Sequence, residues 1–203
     1  MHKTRNQSSK GLQKAKATGS IRIIAGKHRG RKLPVLMSDG LRPTTDRVKE
    51  TVFNWLMPYI NQSNCLDCFA GAGSLGFEAL SRGAKQVTLI ELDKNAARQL
   101  KQNKTLLHAD NVDIHQTSAL SFLATPPTTK FDVIFIDPPF RKGLAEQSIE
   151  LLENNWLASN ALIYIEMENE NDQLSIPDSW SLLKEKSAGQ VSYRLYQKND
   201  STD

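Results

Sequence analysis

Cysteine is scarce in this chain. Two in 203 residues cannot build a disulfide framework, so a reducing cytoplasm is the expected home. The four histidines, His2, His28, His108 and His115, keep no metal-ligand spacing with Cys65 and Cys68, and no metal is expected. Long apolar runs are missing as well. Nothing approaches the ~20 residues of a membrane span, and the polar, lysine-bearing N-terminus lacks the apolar segment of a signal peptide. Internal repeats are absent. Acidic residues are depleted in one place: residues 1–50 hold 13 Lys/Arg against 3 Asp/Glu, whereas the other 153 hold 13 against 19. The net charge of +4 therefore hides a local positive field. Such a field gathers phosphates, which makes nucleic acid the leading partner class; a merely solvated tail is the plainer alternative.

The length suits one domain with a real core. Residues 1–19, poor in large apolar side chains, read as a flexible basic tail. Residues 20–40 read as a basic β-hairpin extension: Ile21-Arg22-Ile23-Ile24-Ala25 and Arg31-Lys32-Leu33-Pro34-Val35 flank the Gly-bounded turn Gly26-Lys27-His28-Arg29-Gly30. A lone hairpin is marginal, so it must lean on the main body. Lys27, His28, Arg29, Arg31 and Lys32 put five cationic or titratable residues within six positions, and are expected to contact RNA phosphates.

The main domain, residues 41–203, starts with Leu41-Arg42-Pro43-Thr44-Thr45. This segment sets Arg42 and two hydroxyls before a helix N-terminus, where a carboxylate or phosphate can bind. Thr44 or Thr45 can cap that helix, whose apolar stripe is Val48, Val52, Phe53 and Leu56; Met57-Pro58 ends it. Strand signals follow at 64–67, 86–91, 112–116, 131–137, 161–166, 181–186 and 191–198. Helix signals fall at 74–81, 94–107, one short turn near Leu120, and 144–157. Alternating strand and helix units predict an α/β fold with a mostly parallel sheet, helices on both faces and an antiparallel edge from the last hairpin. Ligands of such sheets bind beyond the carboxyl ends of the strands.

The first strand of that sheet ends in Asp67-Cys68-Phe69-Ala70-Gly71-Ala72-Gly73-Ser74-Leu75-Gly76. Gly71, Gly73 and Gly76 match G-x-G-x-x-G, a dinucleotide signature. However, three residues separate Asp67 from Gly71, and a carboxylate at the strand tip repels a pyrophosphate. Asp67 suits an ammonium group, the glycines allow a nucleoside to approach the backbone, and Glu91 can accept hydrogen bonds from ribose hydroxyls. An amino acid joined to a ribonucleoside describes S-adenosylmethionine; NAD remains the alternative.

Asp137-Pro138-Pro139-Phe140 follows the apolar run Phe131-Asp132-Val133-Ile134-Phe135-Ile136. Two prolines stop a strand abruptly, since neither can donate to the ladder. The result is a rigid tip bearing a carboxylate, exposed carbonyls and an aromatic face, suited to a planar group with an amine. The tetrapeptide alone reads equally well as a Pro-Pro turn.

These segments carry a resemblance. Residues 67–73 resemble the cofactor loop of class I, Rossmann-like methyltransferases, and the tetrad 137–140 resembles their amino-methylating signature. IRIIAGKHRGRKLPV, LRPTTDRVKETVFNWL, DCFAGAGSLGFEALSR, LIELD and FDVIFIDPPF together resemble the RsmD family of bacterial 16S rRNA guanine-N2-methyltransferases, over most of residues 20–198. The resemblance implies a seven-stranded methyltransferase domain and S-adenosyl-L-methionine as cofactor. It also implies 16S rRNA in the small ribosomal subunit as partner, and a monomer without membrane or metal. It implies cofactor contacts from Arg42, Thr44, Asp67, Phe69, Gly71, Gly73, Glu91, Leu92, Ser118, Ala119 and Asp137. Asp137, Pro138, Pro139 and Phe140 carry the catalytic role, with Phe140 stacking on the base. A DNA adenine or cytosine amino-methyltransferase shares the tetrad, but usually carries a long target-recognition insert for which this chain has no room. A non-catalytic RNA-binding assembly factor would not need Asp67, Gly71, Gly73, Glu91 and Asp137 intact.

Other conspicuous residues take plainer readings. Cys65 lies in a strand, where three-residue spacing puts Cys68 on the opposite face, so the pair reads as buried thiols rather than a redox motif. The acidic run at 166–172 reads as a solvated loop. Trp55, Trp156 and Trp180 read as core anchors.

Overall fold

The computed structural model describes residues 18–36, 45–139, 142–168 and 174–199. A two-stranded antiparallel hairpin, β1 (Thr18–Arg22) and β2 (Lys32–Leu36), precedes the main domain. Its first strand begins at Thr18, two residues inside the stretch read as tail. The turn is longer than expected, because the strands stop at Arg22 and Lys32; past them the Ile23 N–H still donates to the Arg31 carbonyl at 2.9 Å. The domain continues with α1 (Asp46–Leu56), β3 (Asn64–Asp67), α2 (Ser74–Ser81), β4 (Gln86–Glu91), α3 (Lys94–Leu107) and β5 (Val112–Gln116). Then come α4 (Ala119–Leu123), β6 (Phe131–Ile136), α5 (Leu144–Leu152), β7 (Leu157–Glu168), β8 (Trp180–Ala188) and β9 (Val191–Lys198).

The main sheet has seven strands in the order β5-β4-β3-β6-β7-β9-β8. Strands β3 to β7 pair in parallel, while β9 pairs antiparallel with β7 and β8. Alternation along each strand feeds two cores. Cys65, Val87, Leu89, Val133 and Phe135 face one side, against α1, α2, α3 and the hairpin. Leu66, Ile90, Ile134 and Ile136 face the other, against α4 and α5. Cys65 and Cys68 fall in opposite cores as free, buried thiols. Burial pushes the Cys65 thiol up to about 12 and the Cys68 thiol higher still, so both are inert near neutrality.

In α1, Thr45 caps by accepting the Val48 N–H at 3.3 Å, and Val48, Val52, Phe53 and Leu56 are buried as the stripe predicts. Two expectations need correction. The helix expected over 144–157 stops at Leu152: Asn155 turns left-handed at φ +65°, and buried Trp156 ties its indole N–H to the Leu123 carbonyl at 2.9 Å. In addition, the acidic run at 166–172 is not wholly loop. Glu166 and Met167 lie inside β7 and are buried. Trp156 and Trp180 are buried in the α4–α5 core, and Trp55 packs against the core on the opposite face.

Candidate active site

Strand order reverses at β3, which has β4 on one side and β6 on the other. In doubly wound sheets this switch point opens a crevice beyond the strand tips. Asp67 is the last residue of β3 and is in register with Phe135 of β6. The Cys68 N–H donates to the Phe135 carbonyl at 3.0 Å, holding the two tips together. The Asp67 tip and the Asp137 tip therefore border one crevice.

Asp67 is 2% exposed. Its Oδ2 accepts the Gly76 N–H at 3.2 Å, while Oδ1 is buried with no hydrogen-bond partner. Burial raises its carboxyl pKa to about 7, with a further upward push from Glu91; the Gly76 and Phe69 amides act in the opposite sense. The Phe69 amide lies near enough to favour the charged form without making a well-aligned bond.

The turn from β3 into α2 is built on glycine. Gly71 and Gly73 have φ of +51° and +80°, a region side chains avoid. A Cβ at Gly73 would lie 2.6 Å from the Phe77 ring, and one at Gly76 would lie 2.2 Å from Leu89 Cδ2. Gly76 thus lets α2 approach β4 closely while giving its amide to Asp67. Glu91, at the end of β4, accepts the Gly71 N–H at 2.8 Å and the Asp93 N–H at 2.6 Å. The carboxylate expected to meet ribose hydroxyls also fastens the glycine turn to β4, and its oxygens keep lone pairs for a further donor. Leu92, 68% exposed, stands at the rim. Ser118 lies just beyond β5, where its hydroxyl caps α4 by accepting the Ser121 N–H at 3.0 Å. Ala119 is buried against the α4–α5 core.

On the neighbouring tip, Asp137 is half-buried, Pro138 buried and Pro139 exposed. Phe140, Arg42 and Thr44 lie outside the described residues. Among the described residues no group of three His, Cys, Asp or Glu side chains is gathered to hold a metal ion.

The cationic turn reaches this domain through α2. Lys27, Arg29, Arg31 and Lys32 are exposed and His28 is half-buried. The pKa of His28 is lowered by burial, then by Lys27 and Arg31. Arg31 also donates to the Leu106 carbonyl at 2.8 Å. The anchor beneath the turn was hidden in the sequence. Fully buried Glu78 accepts the Ile24 and Ala25 amides at 2.8 and 3.0 Å, pairs with Arg82 at 2.8 Å and lies 3.7 Å from the Lys49 ammonium. Ser81 adds contacts to Lys27 and His28. A Cβ on Gly26 would collide with the Ser81 carbonyl at 1.8 Å. The only advance signal was an acid in the middle of an otherwise apolar helix.

The topology and the acid-tipped, glycine-turned β3 define a Rossmann-like, class I methyltransferase fold. The family described as Conserved hypothetical protein 95 matches residues 21–197. Ribosomal RNA small subunit methyltransferase D of Haemophilus influenzae is 60% identical over 192 residues, which is 93% of this chain and 99% of that protein. The protein of the same name from Escherichia coli strain K12 is 57% identical, covering 89% of this chain and 91% of that one. The solved structure of yhhF from Escherichia coli superposes with a TM-score of 0.85 at 54% identity, across 90% of this chain and all of that one. SMU.776, solved as a complex with SAH, shares the fold at a TM-score of 0.63 and 17% identity, with coverage of 82% and 53%. The chain belongs to the ribosomal RNA small subunit methyltransferase D family.

Proposed function

We propose that the protein transfers a methyl group from S-adenosyl-L-methionine to the exocyclic N2 amine of one guanine in 16S rRNA, on the small ribosomal subunit or an assembly intermediate. The observation that carries this reading is the pairing, at the sheet's switch point, of two strands that lead into aspartates, Asp67 buried and Asp137 half-buried.

The residues fit the cofactor. Asp67 Oδ1, buried without a hydrogen-bond partner, calls for a donor, and an amino-acid ammonium supplies one. Glu91 and the Gly71 turn would hold the ribose side, with Leu92, Ser118 and Ala119 towards the base. When bound, the cofactor contributes an electrophilic methyl on a sulfonium. The protein's share is to prepare the nucleophile. An exocyclic amine is a poor one, because its lone pair is delocalised into the ring. Asp137 accepting one N–H and the Pro138 carbonyl accepting the other would draw the nitrogen toward tetrahedral geometry and aim its lone pair. Fixing that geometry contributes several kcal/mol, and acceptors beside developing positive charge favour the transition state. Asp137 need not be a strong base, since the methylated amine sheds its proton readily. Phe140, the last residue of the tetrad, would stack on the base, worth ~1–3 kcal/mol. The base must be splayed out for its amine to reach the crevice.

The cationic turn supplies the polymer grip. Its fixed backbone presents Lys27, Arg29, Arg31 and Lys32 as a positive edge for phosphates. The test is labelled methyl transfer to small subunits from cells lacking the enzyme, followed by nucleoside digestion. N2-methylguanosine is expected, and N6-methyladenosine contradicts the assignment.

A further inference from the structure

Strands β6 and β7 run parallel with Ile136 beside Ile165. The residues that follow, Asp137 just beyond the end of β6 and Glu166 within β7, therefore stand on adjacent chains roughly 4.8 Å apart and on the same face. Glu166 opposes Tyr193 of β9 and is 8% exposed. Its Oε2 accepts the Tyr164 hydroxyl at 2.8 Å. Among the described residues no hydrogen bond reaches Oε1 and no Lys or Arg pairs with this carboxylate. Burial raises the Glu166 pKa and the Tyr164 hydroxyl opposes the rise. Tyr164 is itself buried among the rings of Phe135 and Tyr193, and feels the charges of both Glu166 and Asp137.

A buried acid without a cation is costly. Leu162 and Tyr164, which share its face of the strand, are buried without a charge. Whatever amine Asp137 receives must also arrive beside Glu166. Guanine carries an N1–H next to its N2 amine. Adenine and cytosine instead carry a ring-nitrogen acceptor next to theirs, whose lone pair a carboxylate repels.

Resting on the guanine reading above, we propose that Glu166 reads the base, with Oε1 accepting the guanine N1–H while Tyr164 fixes the carboxylate's orientation. This supplies the base choice that the Asp-Pro-Pro-Phe tetrad lacks. A site built to hydrogen-bond one donor rejects an analogue that leaves the acceptor unpaired.

The test replaces the modified guanine, located by the nucleoside mapping, with 2-aminopurine. That base keeps the N2 amine but presents N1 as an acceptor. Wild-type enzyme should favour guanine by about 100-fold in kcat/KM. Glu166→Gln, whose amide can donate to the N1 lone pair, should narrow that preference at least tenfold while retaining cofactor affinity by calorimetry. Tyr164→Phe, which keeps the ring, should lower guanine kcat/KM about fivefold with cofactor affinity intact. Equal losses on both RNAs, or lost cofactor affinity in both variants, would overturn the role of Glu166. Absence of guanine methylation by the wild type would instead overturn the functional reading itself.

Discussion

Two aspartates end neighbouring strands of one sheet, yet they occupy opposite environments. Asp67 is sealed at 2% exposure with one oxygen unpaired, whereas Asp137 is half-buried, with the exposed Pro139 two residues on. A sealed acid is strained until a cation arrives. A half-buried acid at a strand tip can accept hydrogen bonds from a group that comes in from solvent. On the proposed reading the first holds the cofactor and the second prepares the nucleophile, and burial alone separates their roles.

The sharpest way to break this division is at Asp137. Asp137→Ala should lower turnover about 1,000-fold, the scale set by removing one preorganised partner of a transition state; single-turnover methyl transfer reads it directly. A loss below tenfold would remove the catalytic role.

Asp67→Asn should fail in the opposite way, weakening cofactor affinity about 100-fold by calorimetry. Its stability should also change sign with function. The folded-state pKa of Asp67 lies above its ordinary 3.8, near 7. The free wild-type protein therefore loses stability as pH rises from 3.8 towards 7, and keeps that penalty above it. The Asn variant escapes the penalty and should melt about 5 °C higher than wild type at pH 8. Cofactor affinity of the wild type should fall about tenfold per pH unit below 7, because the ammonium needs an ionised Asp67. The variant should show no such slope.

The smallest effect belongs to the cationic turn, which lies apart from both tips. Replacing Lys27, Arg29, Arg31 and Lys32 with Ala should weaken RNA binding and reduce its salt slope by about 3, with cofactor affinity unchanged. An unaltered slope in a binding titration would refute the phosphate grip.

Much of this was legible in the sequence because the signals were local. The limits of α2, α3, β4, β5 and β9 follow from periodicity, glycine and caps, and the Asp67–Gly76 turn announces its crevice by itself. What stayed hidden depends on partners far along the chain. Glu78 reads as an ordinary helical acid until the hairpin amides 53 and 54 residues away fold onto it. Lys49, 1% exposed, looks like the polar face of α1 until Glu78 arrives. Glu166 vanishes into a polar run, and only the pairing of β7 with β6 and β9 shows that it is buried.

The most direct measurement of the central claim is a calorimetric titration of S-adenosyl-L-methionine into Asp137→Ala. If the two tips divide the work, the dissociation constant stays within about fivefold of wild type while methyl transfer is lost. A loss of cofactor affinity as large as that of Asp67→Asn would show that both acids serve the cofactor, and would contradict the account.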